Sequence, residues 1–120
     1  MQGTYFPICL SYLNAALTAD VTYRCSFPFP VQLVHVNAAC ANATSFILDV
    51  GSAADTDAYL DGVTVTGDAS TTSDFTRSNF VNGEYPHIDA NTEIVITIDY
   101  DGGAGNDASD VSVTLLFTEG

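Results

Sequence analysis

Lysine and tryptophan are missing from this chain, and arginine occurs only at Arg24 and Arg77. That scarcity of cations argues against two partners. Non-specific nucleic-acid binding rests on Lys and Arg neutralising phosphates, and anionic membranes are recognised through basic clusters in the same way. Long hydrophobic runs are lacking too: nothing approaches the ~20 apolar residues of a spanning helix. Met1-Gln2-Gly3-Thr4 carries no basic residue, and Tyr5 to Leu13 is short and polar for a secretory leader, so the sequence predicts synthesis in a cytoplasm without export. Cysteines are few. Cys9, Cys25 and Cys40 have neither CxxC spacing nor a nearby His pair, which predicts buried or half-buried free thiols, with a single disulfide as the alternative. The Asn42-Ala43-Thr44 sequon means little without a leader.

What is present in quantity is acid and β-former. Fifteen Asp and Glu set a formal net charge of −13, yet 47% of residues are hydrophobic, which excludes a disordered acidic tail. A 12.6 kDa chain of 120 residues is one domain. Such a domain should expose ~6,200 Å², which spaces the net charges ~22 Å apart, beyond a Debye length of ~8 Å. Average repulsion is then screened, and only local Asp clusters matter.

Helical patterning is nearly absent; Asn14 to Ala19 reads as a connection of small residues. Elsewhere β-branched and aromatic runs alternate with Gly/Asn/Asp/Ser clusters. Thr4 to Leu13 is the first strand, with Phe6, Ile8, Leu10 and Tyr12 on one face and Pro7 marking an edge or bulge. Val21, Tyr23, Cys25 and Phe27 alternate with polar residues until Pro28-Phe29-Pro30 stops the ladder. Val31 to Ala38 is apolar on both faces and therefore central, and Thr44 to Val50 points Phe46, Leu48 and Val50 inward. Gly62 to Thr66 is a short strand, Phe75 to Val81 an interrupted one, and Asn82-Gly83 a turn. Two final strands, carrying Ile94, Ile96, Ile98 and Tyr100, then Val111, Val113, Leu115 and Phe117, read as a hairpin joined by Asp101 to Asp107. The sum is an all-β, antiparallel β-sandwich of seven or eight strands, divided into an N-terminal strand or arm (1–13) and the sandwich itself (14–120).

Chemistry is hard to find. Asp55 to Gly62 begins like a calcium loop, but Tyr59 stands at the third ligand position, the Gly is misplaced and no Glu closes it. Asp99, Asp101, Asp107 and Asp110, with Asn106, form a second acidic group and are the candidates for a cation; the plainer reading is a solvated loop whose acids set turns. His35 and His87 have no ligand spacing around them, so no metal or other cofactor is expected. Nucleophile elbow, phosphate loop and Ser/His/Asp arrangement are all lacking, and the chain reads as non-enzymatic. Arg24 and Arg77 are each expected to pair with an acid, within the subunit or across an interface.

The stretches Ser26 to Ala38, Thr44 to Gly51, Ala58-Tyr59-Leu60-Asp61-Gly62, Glu93 to Tyr100 and Asp110 to Phe117, in that order, resemble the small β-sandwich head proteins of tailed bacteriophages, the decoration or cement proteins that bind the outside of a capsid. The resemblance spans Phe27 to Phe117. It implies a jelly-roll-like fold, a homo-oligomer with a trimer favoured, contacts with major capsid protein, and a place on the virion surface after assembly in the host cytoplasm. Direct contact with nucleic acid or membrane is not expected. Under that reading the interface candidates are Tyr5, Phe6, Ile8, Phe29, Tyr59, Phe80, Tyr85, Arg24 and Arg77, because aromatics and Arg are enriched in interface cores. Phe27 and Phe75 read as core. The alternative is a binding module for carbohydrate or protein, assisted by Ca²⁺ at the polar loops. A lysine-free acidic surface also suits a halophilic or marine habitat.

Overall fold

The computed structural model describes residues 5–17, 19–42, 44–68, 70–99 and 108–120, with the side chains of residues 12–16 outside the description. Nine strands account for most of it: β1 (Tyr5–Ala16), β2 (Val21–Cys25), β3 (Val31–Ala39), β4 (Ser45–Ser52), β5 (Leu60–Thr66), β6 (Ser73–Phe75), β7 (His87–Ile88), β8 (Ile94–Asp99) and β9 (Ser109–Glu119). They form two antiparallel sheets. The first has the order β1-β9-β3-β6, with β7 also on β3, and the second the order β2-β8-β4-β5.

Those orders describe a long hairpin rolled upon itself. β1 pairs β9, β2 pairs β8, β3 pairs β6, and β4 pairs β5. Successive pairs fall alternately in the first and second sheet, which is the wrap of a jelly roll. The fold is therefore an antiparallel β-sandwich of the jelly-roll type. Its accessible surface of 6236 Å² matches the expectation from mass.

Alternation builds the core. Leu33, Val36 and Ala38 on β3, and Val111, Val113, Leu115 and Phe117 on β9, meet Phe46, Leu48 and Val50 on β4 and Ile94, Ile96 and Ile98 on β8. All are buried, and polar or half-exposed residues stand between them, except on β8, where Val95 is buried as well. The two flanking strands are less covered. Phe6, Ile8 and Leu10 of β1, with Val21, Tyr23 and Cys25 of β2, pack against the core yet stay half-buried.

Three expectations need correction. β8 and β9 are not a hairpin: they lie in opposite sheets, and the Asp101 to Asp107 segment that joins them falls outside the described residues. Both strands carry a full apolar face, and two such faces are buried as well by stacking as by lateral pairing. The link of small residues after Leu13 is also strand, because β1 continues to Ala16 and Ala16 pairs Ser109 beyond a register shift. Leu17 then enters the core, its N–H donating to the Ala108 carbonyl at 2.8 Å. The interrupted strand from Phe75 to Val81 is instead two 3₁₀ turns, Arg77–Asn79 and Val81–Gly83, with Asn82 and Gly83 at positive φ as the Asn-Gly pair requires.

Candidate interaction faces

Residues directly opposite one another in an antiparallel pair share a face, so the register lays out the outer surface of each sheet. On the first sheet the rows are Tyr5, Thr118, Gln32 and His87; Pro7, Leu116 and His35; Cys9, Thr114, Asn37 and Asp74; and Ser11, Ser112 and Ala39. The bulge at Val34 shifts β3 by one residue against β9 and keeps both alternations inward. Asp74 is the one acid among these rows, at the rim on β6, where its carboxylate lies 3.8 Å from His35 Nε2. On a chain of net charge −13, the middle of the β1-β9-β3 surface holds no carboxylate, the two acids of β9, Asp110 and Glu119, standing exposed at its ends.

The acids collect on the other side. β4, β8 and β5 turn Asp49, Thr97 and Asp99 outward, and Asp61 and Gly62 of β5 together face Asp49 in a bulge. Gly62 takes φ +61°, as the bulge demands, and its N–H donates to Asp49 Oδ1 at 2.7 Å. The β4–β5 loop folds back over Gly51: Ser52 N–H donates to the Asp55 carbonyl at 2.8 Å and Tyr59 N–H to the Val50 carbonyl at 2.9 Å. This brings Asp57 to the same place, so that oxygens of Asp49, Asp57 and Asp61 all lie within 4.8 Å of one another. Partial burial raises the Asp49 pKa above its ordinary value of 3.8, the Gly62 N–H opposes the rise, and repulsion from Asp57, Asp61 and Asp99 adds to it. Asp55 is raised as well, by a side-chain hydrogen bond with Asp57. An all-oxygen donor set of this kind suits a hard cation such as Ca²⁺, but with one oxygen from each carboxylate it supplies three of the 6–8 oxygens that ion takes.

A raised Asp49 pKa has a definite sign. The protonated form is favoured by folding, so this group's contribution to stability is full below 3.8 and is lost as pH rises through its folded-state pKa. Asp49→Asn keeps the acceptor for Gly62 and removes the charge. It is expected to raise the melting temperature at neutral pH by a few degrees at low salt, with solvent screening keeping the gain modest, and to leave little difference below pH 4. Differential scanning fluorimetry across pH checks this; a lower melting temperature at pH 7 would contradict the repulsion.

The interface candidates fall into two groups. Tyr5, Phe6 and Ile8 lie on β1, Arg24 on β2 and Phe29 just beyond it. Tyr5 is 66% exposed and Phe29 38%, and Phe6 meets Phe27, Phe29 and Phe117 with centroids 5.2, 6.1 and 6.0 Å away. Arg24 pairs with Glu93, as expected of a scarce cation. Tyr59, Phe80, Tyr85 and Arg77 gather at the 3₁₀ turns. Phe80 is only 3% exposed, which makes it core and not a surface anchor, because Val81 N–H bonds the Tyr59 carbonyl and folds the turn over it. Arg77 bonds the Gly83 carbonyl at 3.1 Å and lies 5.7 Å from the Tyr85 ring centroid within its own subunit. Of the cation candidates, Asp99 joins the Asp49 group, Asp110 opens β9 at φ +50°, and Asp101 and Asp107 lie outside the described residues. Cys25 and Cys40 are free thiols with pKa values raised by burial, whereas Cys9 is exposed.

No family model and no curated protein matches the chain. A solved structure does: a chain of the cyanophage Pam1 capsid asymmetric unit superposes at a TM-score of 0.54 with 20% identity, over 98% of this chain and 81% of that one. At that identity the two share a fold. The alignment takes in nearly the whole jelly roll, β1 included.

Sequence reading overlooked the convergence on Asp49. Its signal was present in Asp61-Gly62, since an Asp-Gly pair inside a strand pattern announces a bulge that re-aims its neighbours.

Proposed function

We propose that this protein is a non-enzymatic structural component of a phage virion, seated on the outside of the capsid and cementing major capsid protein. The observation that carries the reading is the segregation of charge: the middle of the outer surface of β1, β9 and β3 holds no acid, those of β9 (Asp110 and Glu119) standing at its two ends, while the opposite surface gathers Asp49, Asp57, Asp61 and Asp99. A neutral, gently hydrophobic sheet face can be desolvated against a partner without burying unpaired charge. The acidic face then remains in solvent. The shared fold with a capsid chain supports the same direction.

The test uses capsids of the phage that carries this chain, stripped of it and re-decorated. Thr114→Glu places a charge at the middle of the neutral face, and Asp57→Asn alters the acidic one. Thr114→Glu is expected to cut capsid affinity at least tenfold, about 1.4 kcal/mol, with Asp57→Asn unchanged. Equal binding by folded Thr114→Glu would overturn the reading. A Ca²⁺-assisted binding module would instead raise its melting temperature strongly with Ca²⁺ and lose the gain with EDTA.

A further inference from the structure

The four edges of the sandwich are not defended alike. An open sheet edge invites pairing with another chain, and proteins blunt it with short strands, charges, Pro or bulges. β2 is five residues long and carries the Arg24–Glu93 pair; β5 carries Asp61 and a bulge; β6 has three residues, one of them Asp74, and β7 only two. β1 differs. It runs for twelve residues, and the sequence holds no charged side chain from Gln2 to Ala19. On a chain of net charge −13 it is the long edge along which two copies meet without like charges facing.

The backbone of β1 fixes how they meet. β9 occupies one side of the strand. Pro7 has no N–H to give, so it stands in an intact ladder only with its nitrogen toward the open side. Groups alternate along a strand, so Tyr5, Cys9 and Ser11 turn their N–H and C=O to that side as well. In agreement, the Ser11 carbonyl accepts a hydrogen bond from Tyr23 Oη at 3.2 Å, from outside the β1–β9 ladder.

We infer that β1 pairs antiparallel with β1 of a second copy of this chain, about a twofold axis at Cys9. In that register Cys9 opposes Cys9 of the other copy and both exchange N–H···O=C bonds. Ser11 opposes Pro7, and its N–H reaches the Pro7 carbonyl. The one carbonyl that proline leaves without a strand donor is that of Ser11, which Tyr23 already satisfies within its own subunit. Proline and tyrosine thus make this register complete, and the two first sheets join into one continuous sheet. The inference does not depend on a capsid.

Sedimentation of the purified full-length chain through a micromolar dilution series tests it. A monomer–dimer equilibrium little affected by salt is expected. Cys9→Glu sets two carboxylates face to face at the axis and should shift the midpoint at least tenfold toward monomer, while Thr114→Glu, on β9, leaves the dimer intact. Opposed Cα atoms in a bonded pair are ~5.5 Å apart, so a short bismaleimide should cross-link the unmodified chain but not Cys9→Ser, which still sediments as a dimer. The cross-link decides the matter should Cys9→Glu fail to fold. A monomer at every concentration, a trimer, or a Cys9→Glu dimer of undiminished affinity would overturn the proposal.

Discussion

Phe117→Ala is expected to cost about 3–5 kcal/mol of folding free energy, as for other buried aromatics, which for a domain of this size is on the order of 15 °C in melting temperature. Phe117 is fully buried on β9, paired laterally with Phe6 of β1 and Leu33 of β3. Its ring centroid lies 5.1 Å from that of Phe27 in an edge-on contact and 6.0 Å from that of Phe6 in a stacked one. One truncation therefore removes the shared partner of two rings that reach the surface, and it opens a void between rigid strands that relax little. Since marginal domains hold only ~5–15 kcal/mol in total, urea titration should show the midpoint collapsing. A loss below 1 kcal/mol would mean that Phe27 swings into the gap.

Gly67→Ala is expected to be nearly as severe for the opposite reason. A Cβ at Gly67 would stand 1.9 Å from the Ala41 carbonyl oxygen and 2.7 Å from its carbon, both backbone. That contact is held in place: Gly67 N–H donates to the Thr44 carbonyl at 2.7 Å, and Ala41 N–H to the Ser109 carbonyl at 2.8 Å. The loop before β4 and the end of β5 must separate, and overpacking of this kind costs about 3 kcal/mol. Gly51→Ala meets the Asp55 carbonyl at 2.2 Å and should behave similarly. Gly83→Ala is the contrast. Nothing lies within 4 Å of its Cβ, so only the φ of +62° is strained, at about 1 kcal/mol. Equal melting temperatures for Gly67→Ala and Gly83→Ala would refute the crossing.

Much of this architecture was legible in the residues. The alternation of Ile94, Ile96 and Ile98 and of Val111, Val113, Leu115 and Phe117 announced two buried strands, and Pro28-Phe29-Pro30 marked a strand end where β2 indeed stops short. Which strands pair was not legible, because period-two patterning states which face is apolar and nothing about neighbours. Hence β8 and β9 read as a hairpin. The charge asymmetry was hidden for the same reason: acids are sparse along β1, β3 and β9 separately, and only the register aligns those stretches into one surface. The intrachain contacts of Arg77 were not legible either, because a guanidinium is satisfied by a carbonyl and a ring as readily as by an acid.

The position of β9 between β1 and β3 sets a condition on biosynthesis. Neither neighbour can dock its edge on β9 until β9 has left the ribosome, so β1, whose Tyr5 pairs Thr118, waits for a partner made much later. Until then the early strands are sticky and unprotected, and contacts this distant in sequence form slowly. Chaperone demand should therefore weigh on the yield of this protein in a cell.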